Sequence, residues 1–275
     1  MKAIHILISL IVVCLFTSCR EEVIHVDLET EAPRLVIDAS IDWGKNTTGN
    51  LQTIKLSTTT GYYEEEFPVV SGAIISITNT SSGAKYNFLE KDNSGEYVCV
   101  DFTPVIGDEY LLNVIVNGET YSATETLVKV PDIEDNIVQN NRGGMGGDEI
   151  EITYYYQDDG IKDNYYLYCV TTRHVAFPQY SVENNENNCG SLTPVFYSHE
   201  DLVAGDNIDI KLYGISKRYY DYMNKLLLAS RSDDRPFPTT PAAVYGNIVN
   251  QTDHKNYAYG YFRLSEVATK SYVIK

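Results

Sequence analysis

The chain has 275 residues, of which 43% are hydrophobic and 21% charged, so it is long enough for one large or two ordinary folded domains. A formal net charge of −17 without clusters of Lys and Arg excludes nucleic acid as a partner, and it excludes electrostatic adhesion to an anionic membrane surface. The 23 tyrosines favour β structure, because tyrosine is enriched in strands.

The first 18 residues have the pattern of a secretory signal peptide. Lys2 is followed by the apolar run AIHILISLIVVCLF, which is shorter than the roughly 20 apolar residues that a membrane-spanning helix needs. The run closes at Thr17 and Ser18, directly before Cys19. This order resembles the bacterial lipoprotein signal, in which the cysteine after the cleavage point receives acyl chains, although Phe16 stands where leucine is usual. The alternative is an anchor helix with an incidental cysteine.

The residues after Cys19 bear on the location of the protein. Arg20, Glu21 and Glu22 resemble the export tag by which Bacteroidota lipoproteins reach the outer face of the outer membrane, whereas a merely solvated tether is the alternative. Acyl chains contribute about 0.8 kcal/mol per buried CH₂ group and need no help from surface charge. We therefore predict lipidation at Cys19, a tether at 19–32, and a location on the outer membrane, on its extracellular face.

From residue 33 onward the chain reads as an all-β protein, mainly antiparallel, with one amphipathic helix. The segments at 33–130 are rich in β-branched and aromatic residues, and they include RLVIDASI, LQTIKLS, GAIISITN, KYNFLE, EYVCVDF and DEYLLNVIV. Asn117-Gly118 predicts a type I′ hairpin turn between two such runs. About seven strands in about 100 residues match an immunoglobulin-like sandwich, and part of one larger β domain is the alternative.

A second domain is predicted at 149–275, after a linker or loop at 131–148 that contains Pro131 and four glycines. EIEITYYYQ, NYYLYCVTT, NIDIKLYGI, VYGNIVN, YAYGYFRLS and SYVIK read as strands of a β-sandwich or an incomplete barrel. SKRYYDYMNKLLLASR instead has apolar residues at helical spacing, with Ser216 able to cap its start, so we predict one helix near 217–229.

Three cysteines remain if Cys14 leaves with the signal peptide and Cys19 is acylated. Cys99, in GEYVCVDF, is typical of a buried strand residue. A disulfide between Cys169 and Cys189 can form in an oxidising compartment. Since no Cys-x-x-Cys and no Cys/His cluster with zinc spacing occurs, the cysteines do not indicate a metal site.

None of the sequence motifs predicts a catalytic, cofactor-binding or metal-binding residue, and no cofactor is expected. The sequence lacks Gly-x-Ser-x-Gly and His-Glu-x-x-His. QDDGIKDN at 157–164 offers oxygen ligands for calcium, but Asp-Gly is first of all a turn signal. SHED at 198–201 is expected in a loop, and in YYEEEF at 62–67 adjacent carboxylates would face opposite sides of a strand. The tyrosine runs fill strands, and some of them can form an exposed aromatic binding surface.

Several of these motifs recur in one order in a known family. The lipoprotein start, RLVIDASI, VSGAIISI, the GEYVCVDF to ETYSA stretch, DNYYLY, YGISKRYYDYM and VYGNIVN…YAYGYF together resemble the Bacteroidota outer-membrane lipoproteins catalogued as domain of unknown function four-two-four-nine. The resemblance spans nearly all of the chain after Cys19. It implies lipidation of Cys19 and proximity to TonB-dependent outer-membrane receptors, and it implies no catalytic residues.

Three functional hypotheses follow from the sequence. The first is a non-enzymatic, lipid-anchored accessory of a TonB-dependent transporter that binds a small ligand such as a peptide, a glycan or a metal chelate. The second is an envelope hydrolase whose site is assembled in the C-terminal domain from carboxylates or a histidine. The third is an adhesin or interaction module that uses a tyrosine-rich surface.

Overall fold

The structure is a computed structural model, and it describes residues 32–61, 64, 66–230 and 243–275. The predicted signal peptide, Cys19 and nearly all of the tether lie outside these residues. The strands are β1 (Leu35–Gly44), β2 (Gln52–Thr58), β3 (Ile74–Asn79), β4 (Lys85–Lys91), β5 (Glu96–Cys99), β6 (Glu109–Val116), β7 (Glu119–Thr126), β8 (Val138–Gly143), β9 (Glu149–Gln157), β10 (Tyr165–Thr171), β11 (Gln179–Asn184), β12 (Leu192–His199), β13 (Asn207–Ile215), β14 (Val249–Asn250) and β15 (Tyr259–Val273). Helix α1 (Lys217–Ser230) lies between β13 and β14.

The strands form two sheets, which confirms the predicted all-β class with one helix. Twelve strands pair in the order β11-β10-β13-β15-β1-β2-β5-β4-β3-β6-β7-β14, and three more pair as β12-β9-β8. The pairings between named strands are antiparallel except that of β1 with β15, in which Ile37 lies opposite Gly260. The predicted hairpin turn is present between β6 and β7, where Asn117 and Gly118 both have positive φ, 53° and 80°.

The part of the long sheet that runs from β15 and β1 to β14 curls and encloses one apolar core. The alternating residues Tyr110, Leu112, Val114 and Val116 of β6 are buried, and their neighbours face outward. The same period of two recurs in β1 and β2, so the inner faces of the curled sheet meet as in a sandwich. Cys99 is buried in this core, as predicted, and burial raises the pKa of its thiol to about 11.

A second core lies between β8, β9 and β12 and one face of β10, β13 and β15. Tyr154 and Tyr156 of β9 pack against Tyr166 and Tyr168 of β10, with ring centroids 4.9 to 6.5 Å apart. The hydroxyls of Tyr156 and Tyr168 share a hydrogen bond of 2.8 Å, whereas the buried hydroxyls of Tyr154 and Tyr197 have no hydrogen-bond partner among the described residues.

Strand β15 belongs to both cores. The sequence predicts two strands here, YAYGYFRLS and SYVIK, but one 15-residue strand spans them. Its first part contributes Phe262 and Leu264 to the first core, and Ala268 lies in the second core. Residues 33–275 cluster as one compact unit, and the C-terminal end of the chain therefore completes the sheet that the predicted N-terminal domain begins.

Helix α1 covers the other face of β10, β13 and β15. The helical spacing predicts an apolar face of Tyr219, Met223, Leu226 and Leu227. Tyr219 and Met223 are buried, whereas Leu226 is 38% exposed. Ser216 caps the helix as predicted, since its Oγ accepts a hydrogen bond from the N–H of Tyr219 at 3.2 Å. Below the helix, Arg263 is buried and paired with Asp42 at 2.7 Å.

Two expectations are corrected by the structure. The linker or loop expected at 131–148 contains β8, because its polar segment pairs with β9 as an edge strand and the glycines after it form the turn. The Cys169–Cys189 disulfide is absent, and both residues are free thiols. Cys169 is buried four residues into β10, about 13 Å along the strand from its start, whereas Cys189 lies in an exposed turn beside the residues that precede β10.

Candidate functional site

A cleft of about 380 Å³ lies where the segment after β7 meets the loop between β9 and β10. Its apolar floor is made by Ile106, Val130, Pro131 and the ring of Tyr166. The volume falls near the lower end of the range for small-molecule sites, about 300 to 1,000 Å³. The cleft is therefore large enough for a small ligand with an apolar part.

Charged side chains of both signs surround this floor. They are Lys45, Lys129 and Lys162, and Asp132, Glu134 and Asp159. Lys45 is held by Asp132 at 2.7 Å, whereas Lys129 and Lys162 form no ion pair with another described residue. Glu134 and Asp159 likewise form no ion pair with another described residue, so the lining offers two unpaired groups of each sign to a polar ligand.

The wall formed by residues 157–164 is organised by Asp158, whose side chain is buried. Its two carboxylate oxygens accept hydrogen bonds from the N–H groups of Gly160 and Gly190, both at 2.9 Å, from the Tyr166 hydroxyl at 2.6 Å, and from the Nδ2 groups of Asn164 and Asn185, both at 3.1 Å. The loop is thereby joined to β10 and to the turn at 185–191. This carboxylate fixes one side of the cleft.

The electrostatics of Asp158 follow from those donors. Burial alone would raise the pKa of its carboxyl group, but the hydrogen bonds from Gly190, Tyr166, Asn185 and Gly160 outweigh it and lower the pKa to about 2. Because each of these neighbours presents a hydrogen atom and not a lone pair, the arrangement suits a carboxylate and opposes a cation. The structure supports a turn at QDDGIKDN, the reading that the sequence favours over calcium.

A second polar group lies at the other end of β10. The side chain of Asp206 is fully buried, accepts a hydrogen bond from the Val203 N–H at 2.8 Å, and contacts His174 Nε2 at 2.7 Å and Arg173 at 2.5 Å. The His174 ring stacks on His199 with centroids 6.1 Å apart. A buried carboxylate that orients an imidazole is the arrangement in which histidine serves as a general base.

The described residues of SHED and YYEEEF do not group as metal ligands. In SHED, Ser198 and His199 end β12, and Glu200 and Asp201 lie in the following turn, where the Asp201 N–H donates to His199 Nδ1 at 3.2 Å. In YYEEEF the described carboxylates, Glu64 and Glu66, are exposed. Cys19 lies outside the described residues.

Most of the tyrosine runs lie in hydrophobic cores, and YAYGYF is the exception. TYYYQ and NYYLY supply the second core, and KRYYDY forms the first turns of helix α1, whose tyrosines pack in the cluster between the helix and the sheet. From YAYGYF, however, Tyr257 and Tyr259 are only half-buried, and they contact Tyr245, which is 56% exposed. The sequence could not separate these cases, because the exposed tyrosines lie at the same spacing as the buried ones.

The described residues contain neither a group of metal ligands nor a membrane-spanning helix. Among residues 32–61, 64, 66–230 and 243–275, no three His, Cys, Asp or Glu side chains are grouped so that they could hold a metal ion. In the same part of the chain, no helix has the length and apolarity required to cross a membrane.

Fold and cleft together define an all-β protein with a curled sheet, one covering helix and a cleft of ligand size. The chain belongs to the family described as domain of unknown function DUF4249, whose model matches residues 21–271. This membership agrees with the family resemblance inferred from the motifs.

Comparison with other known proteins adds no activity. No curated protein is significantly similar to the chain. The two fibronectin type III domain segment from chicken tenascin covers 67% of this chain and 91% of its own length, at 12% identity and a TM-score of 0.22. A cytokine receptor complex covers 68% and 86%, at 9% identity and a TM-score of 0.26. Scores this low carry no argument about fold or function.

Proposed function

We propose that this protein is a lipid-anchored outer-membrane protein that serves a TonB-dependent transporter as a non-enzymatic ligand-binding accessory. The observation that carries the proposal is Cys19, which follows a short apolar run and precedes Arg20, Glu21 and Glu22. Acyl chains on this thiol hold an acidic body at a bilayer that its net charge of −17 would not approach. The surface-directed signal places the body on the extracellular face.

The cleft is the ligand-binding part of this proposal. Its apolar floor suits the apolar body of a small ligand, and Lys129 and Lys162 can bind an anionic group while Glu134 and Asp159 can bind a cationic or hydrogen-bond-donating one. A peptide, an acidic glycan and a metal chelate each meet that description. Captured ligand would then pass to the transporter in the same membrane.

The anchor is tested by comparing two cysteine substitutions in the native bacterium. Cells are grown with an alkyne-bearing fatty acid, and the protein is recovered from the membrane fraction and probed for label. Cys19→Ser should abolish labelling and membrane retention, whereas Cys14→Ser, in the same signal peptide, should leave both unchanged. If the wild-type protein on intact cells is not cleaved by added protease, the extracellular location is wrong. If Cys19→Ser still carries the fatty-acid label, the proposed anchor is wrong.

The partner is tested by purification from native membranes in mild detergent with the anchor intact. We expect a TonB-dependent receptor to co-elute with the wild-type protein at a fixed ratio. A charge-reversed cleft variant, Lys129→Glu with Lys162→Glu, should retain the receptor but lose the ligand. If no barrel protein co-elutes under conditions that keep known receptor complexes together, the accessory role is wrong.

One observation favours an envelope hydrolase as a second candidate. Asp206 lines an open cavity of about 450 Å³ and holds His174 at 2.7 Å, an arrangement in which a histidine can serve as a general base. The test is hydrolysis of ester, peptide and glycoside probe panels by the purified chain and by His174→Ala. Turnover that disappears in His174→Ala would put the hydrolase first, and equal rates in both proteins would remove it.

A further inference from the structure

A set of tyrosines at the edge of the first core has no part in the cleft. We define the tyrosine ledge as Tyr245, Tyr257 and Tyr259. The rings of Tyr245 and Tyr259 are nearly parallel, at 6° with centroids 6.2 Å apart, and Tyr257 stands perpendicular to both at 4.9 and 5.3 Å. Tyr245 is 56% exposed. Three connected rings thus form one stepped aromatic surface open to solvent.

Two glycines bring these tyrosines together. A Cβ at Gly246 would overlap the carbonyl oxygen of Gly260, so only glycine permits the backbones at 246 and 260 to approach this closely. Tyr245 and Tyr259 each precede one of these glycines, and the close approach therefore sets their rings side by side. The local sequence builds the ledge, and core packing does not require it.

The ledge also has a cavity and a polar margin. A cavity of about 310 Å³ is lined by Tyr245, Tyr257 and His254 together with small and aliphatic residues, near the lower end of the range for ligand sites, about 300 to 1,000 Å³. The hydroxyls of Tyr257 and Tyr259 lie 3.4 Å apart, and the guanidinium of Arg34 lies 4.0 Å from the Tyr257 ring centre. Flat aromatic faces are therefore bordered by hydrogen-bonding groups.

We propose that the tyrosine ledge is a binding site for a neutral glycan. A pyranose ring presents C–H groups on its faces and hydroxyls around its edge, which matches aromatic faces with polar groups at the margin. Among the described residues that line this cavity, the ionisable ones are Tyr245, Tyr257 and His254, and none is a carboxylate or a lysine. The proposal is independent of the membrane anchor and of the lysine-bearing cleft.

An extended peptide fits the ledge less well. Peptides that bind beside a sheet commonly add a strand to an exposed edge. Here the neighbouring edge strand is β14, which has two residues, Val249 and Asn250. So short an edge offers too few backbone groups for strand addition. Stacking on the rings is then the main source of affinity, and it favours a sugar.

The experiment measures glycan binding by the full-length protein in detergent. A panel of neutral oligosaccharides of about four to six pyranose units, from glucan, mannan, xylan, galactan and chitin, is screened on an array, and hits are measured by calorimetry. We expect Tyr245→Ala and Tyr257→Ala each to weaken binding about tenfold. Tyr245→Phe should bind within about threefold of wild type, because the ring remains. The matched control is Tyr155→Ala, a half-buried tyrosine on β9 outside the ledge.

Each outcome bears on the proposal. Thermal unfolding of every variant shows that binding is compared between folded proteins, and Tyr245 is exposed enough for alanine to be tolerated. Binding to a neutral glycan should change little between about 50 and 500 mM salt, because no ion pair is involved. If no panel member binds, if the alanine variants bind as wild type does, or if only peptides bind, the proposal is overturned. The charge-reversed cleft variant should keep glycan binding, which separates this result from that for the proposed function.

Discussion

Asp158 is the residue on which the geometry of the cleft depends. Its carboxylate is surrounded by hydrogen-bond donors, so Asp158→Asn would set an amide N–H₂ against at least one of them. We expect this change to lower the free energy of unfolding by about 3 kcal/mol. Asp163→Asn, an exposed position in the same loop, should change it by less than about 0.5 kcal/mol. Urea denaturation measures the free energy of unfolding of both variants, and an equal loss in the two would contradict the role of Asp158.

The same carboxylate predicts a pH dependence. Its pKa is lowered from 3.8 to about 2 in the folded protein, so its stabilisation is complete above about pH 4 and is lost as the pH falls through 2. The shift corresponds to about 2 kcal/mol. Denaturation series at pH 5, 4, 3 and 2 should show a steeper loss for wild type than for Asp158→Asn. Parallel curves would show that Asp158 does not titrate as described.

The sequence predicts only part of such a site. Asp158 and Gly160 are two residues apart in the sequence, and QDDGIKDN predicts the turn that contains them. The partners Asn185 and Gly190 lie 27 and 32 residues further on, and nothing in local spacing assigns them to Asp158. Cys99, by contrast, is predicted as buried, because its strand pattern alone determines its side of the sheet.

Gly260 determines whether β15 can pair with β1. Its φ is +97°, and a Cβ there would overlap the carbonyl oxygen of Ile37 on β1. Gly205 has a similar φ of +92° but no atom within 4 Å of the position of a Cβ. Gly205→Ala therefore carries the conformational strain alone, about 1 kcal/mol, whereas Gly260→Ala should cost at least about 3 kcal/mol. Thermal unfolding compares the two, and similar losses would mean that the strands separate easily at this point.

Elements with a strong local pattern are predicted well, and those defined by their partners are not. Helix α1 and the β6–β7 hairpin are confirmed, because capping, apolar spacing and Asn117-Gly118 act within a few residues. β8 is polar and glycine-bounded, and only its pairing with β9 makes it a strand. Likewise β15 continues through Glu266 and Thr269, which interrupt the apolar pattern, because strands on both sides satisfy its backbone.

At the scale of the whole molecule, the sequence predicts the all-β fold class but does not predict the pairing of β15 with β1. The two groups of strands, 33–130 and 149–275, are legible as separate β-rich stretches. The sequence does not predict that residues 259–267 pair with β1, because a parallel pairing between strands far apart in the chain leaves no local sequence signal. The two-domain division at 131–148 stays a prediction that unfolding can test.

Because β15 contributes to both cores, we expect residues 33–275 to unfold in one cooperative transition. Trp43 packs against the first core, so its fluorescence reports that core, while near-UV circular dichroism reports the buried tyrosines of both cores. Ile54→Ala and Ile210→Ala remove matched side chains that are 0% and 1% exposed in the first and second cores. Each should lower stability by about 3 kcal/mol and the shared transition temperature by roughly 5 to 10 °C in both signals.

Calorimetry supplies the decisive comparison for this cooperativity. A calorimetric enthalpy equal to the van't Hoff enthalpy is expected if the shared strand couples the cores. If Ile54→Ala instead shifts the fluorescence transition while Ile210→Ala leaves it unchanged, the two halves are independent domains. In that case the β1–β15 pairing would be a contact between domains that breaks before either core melts.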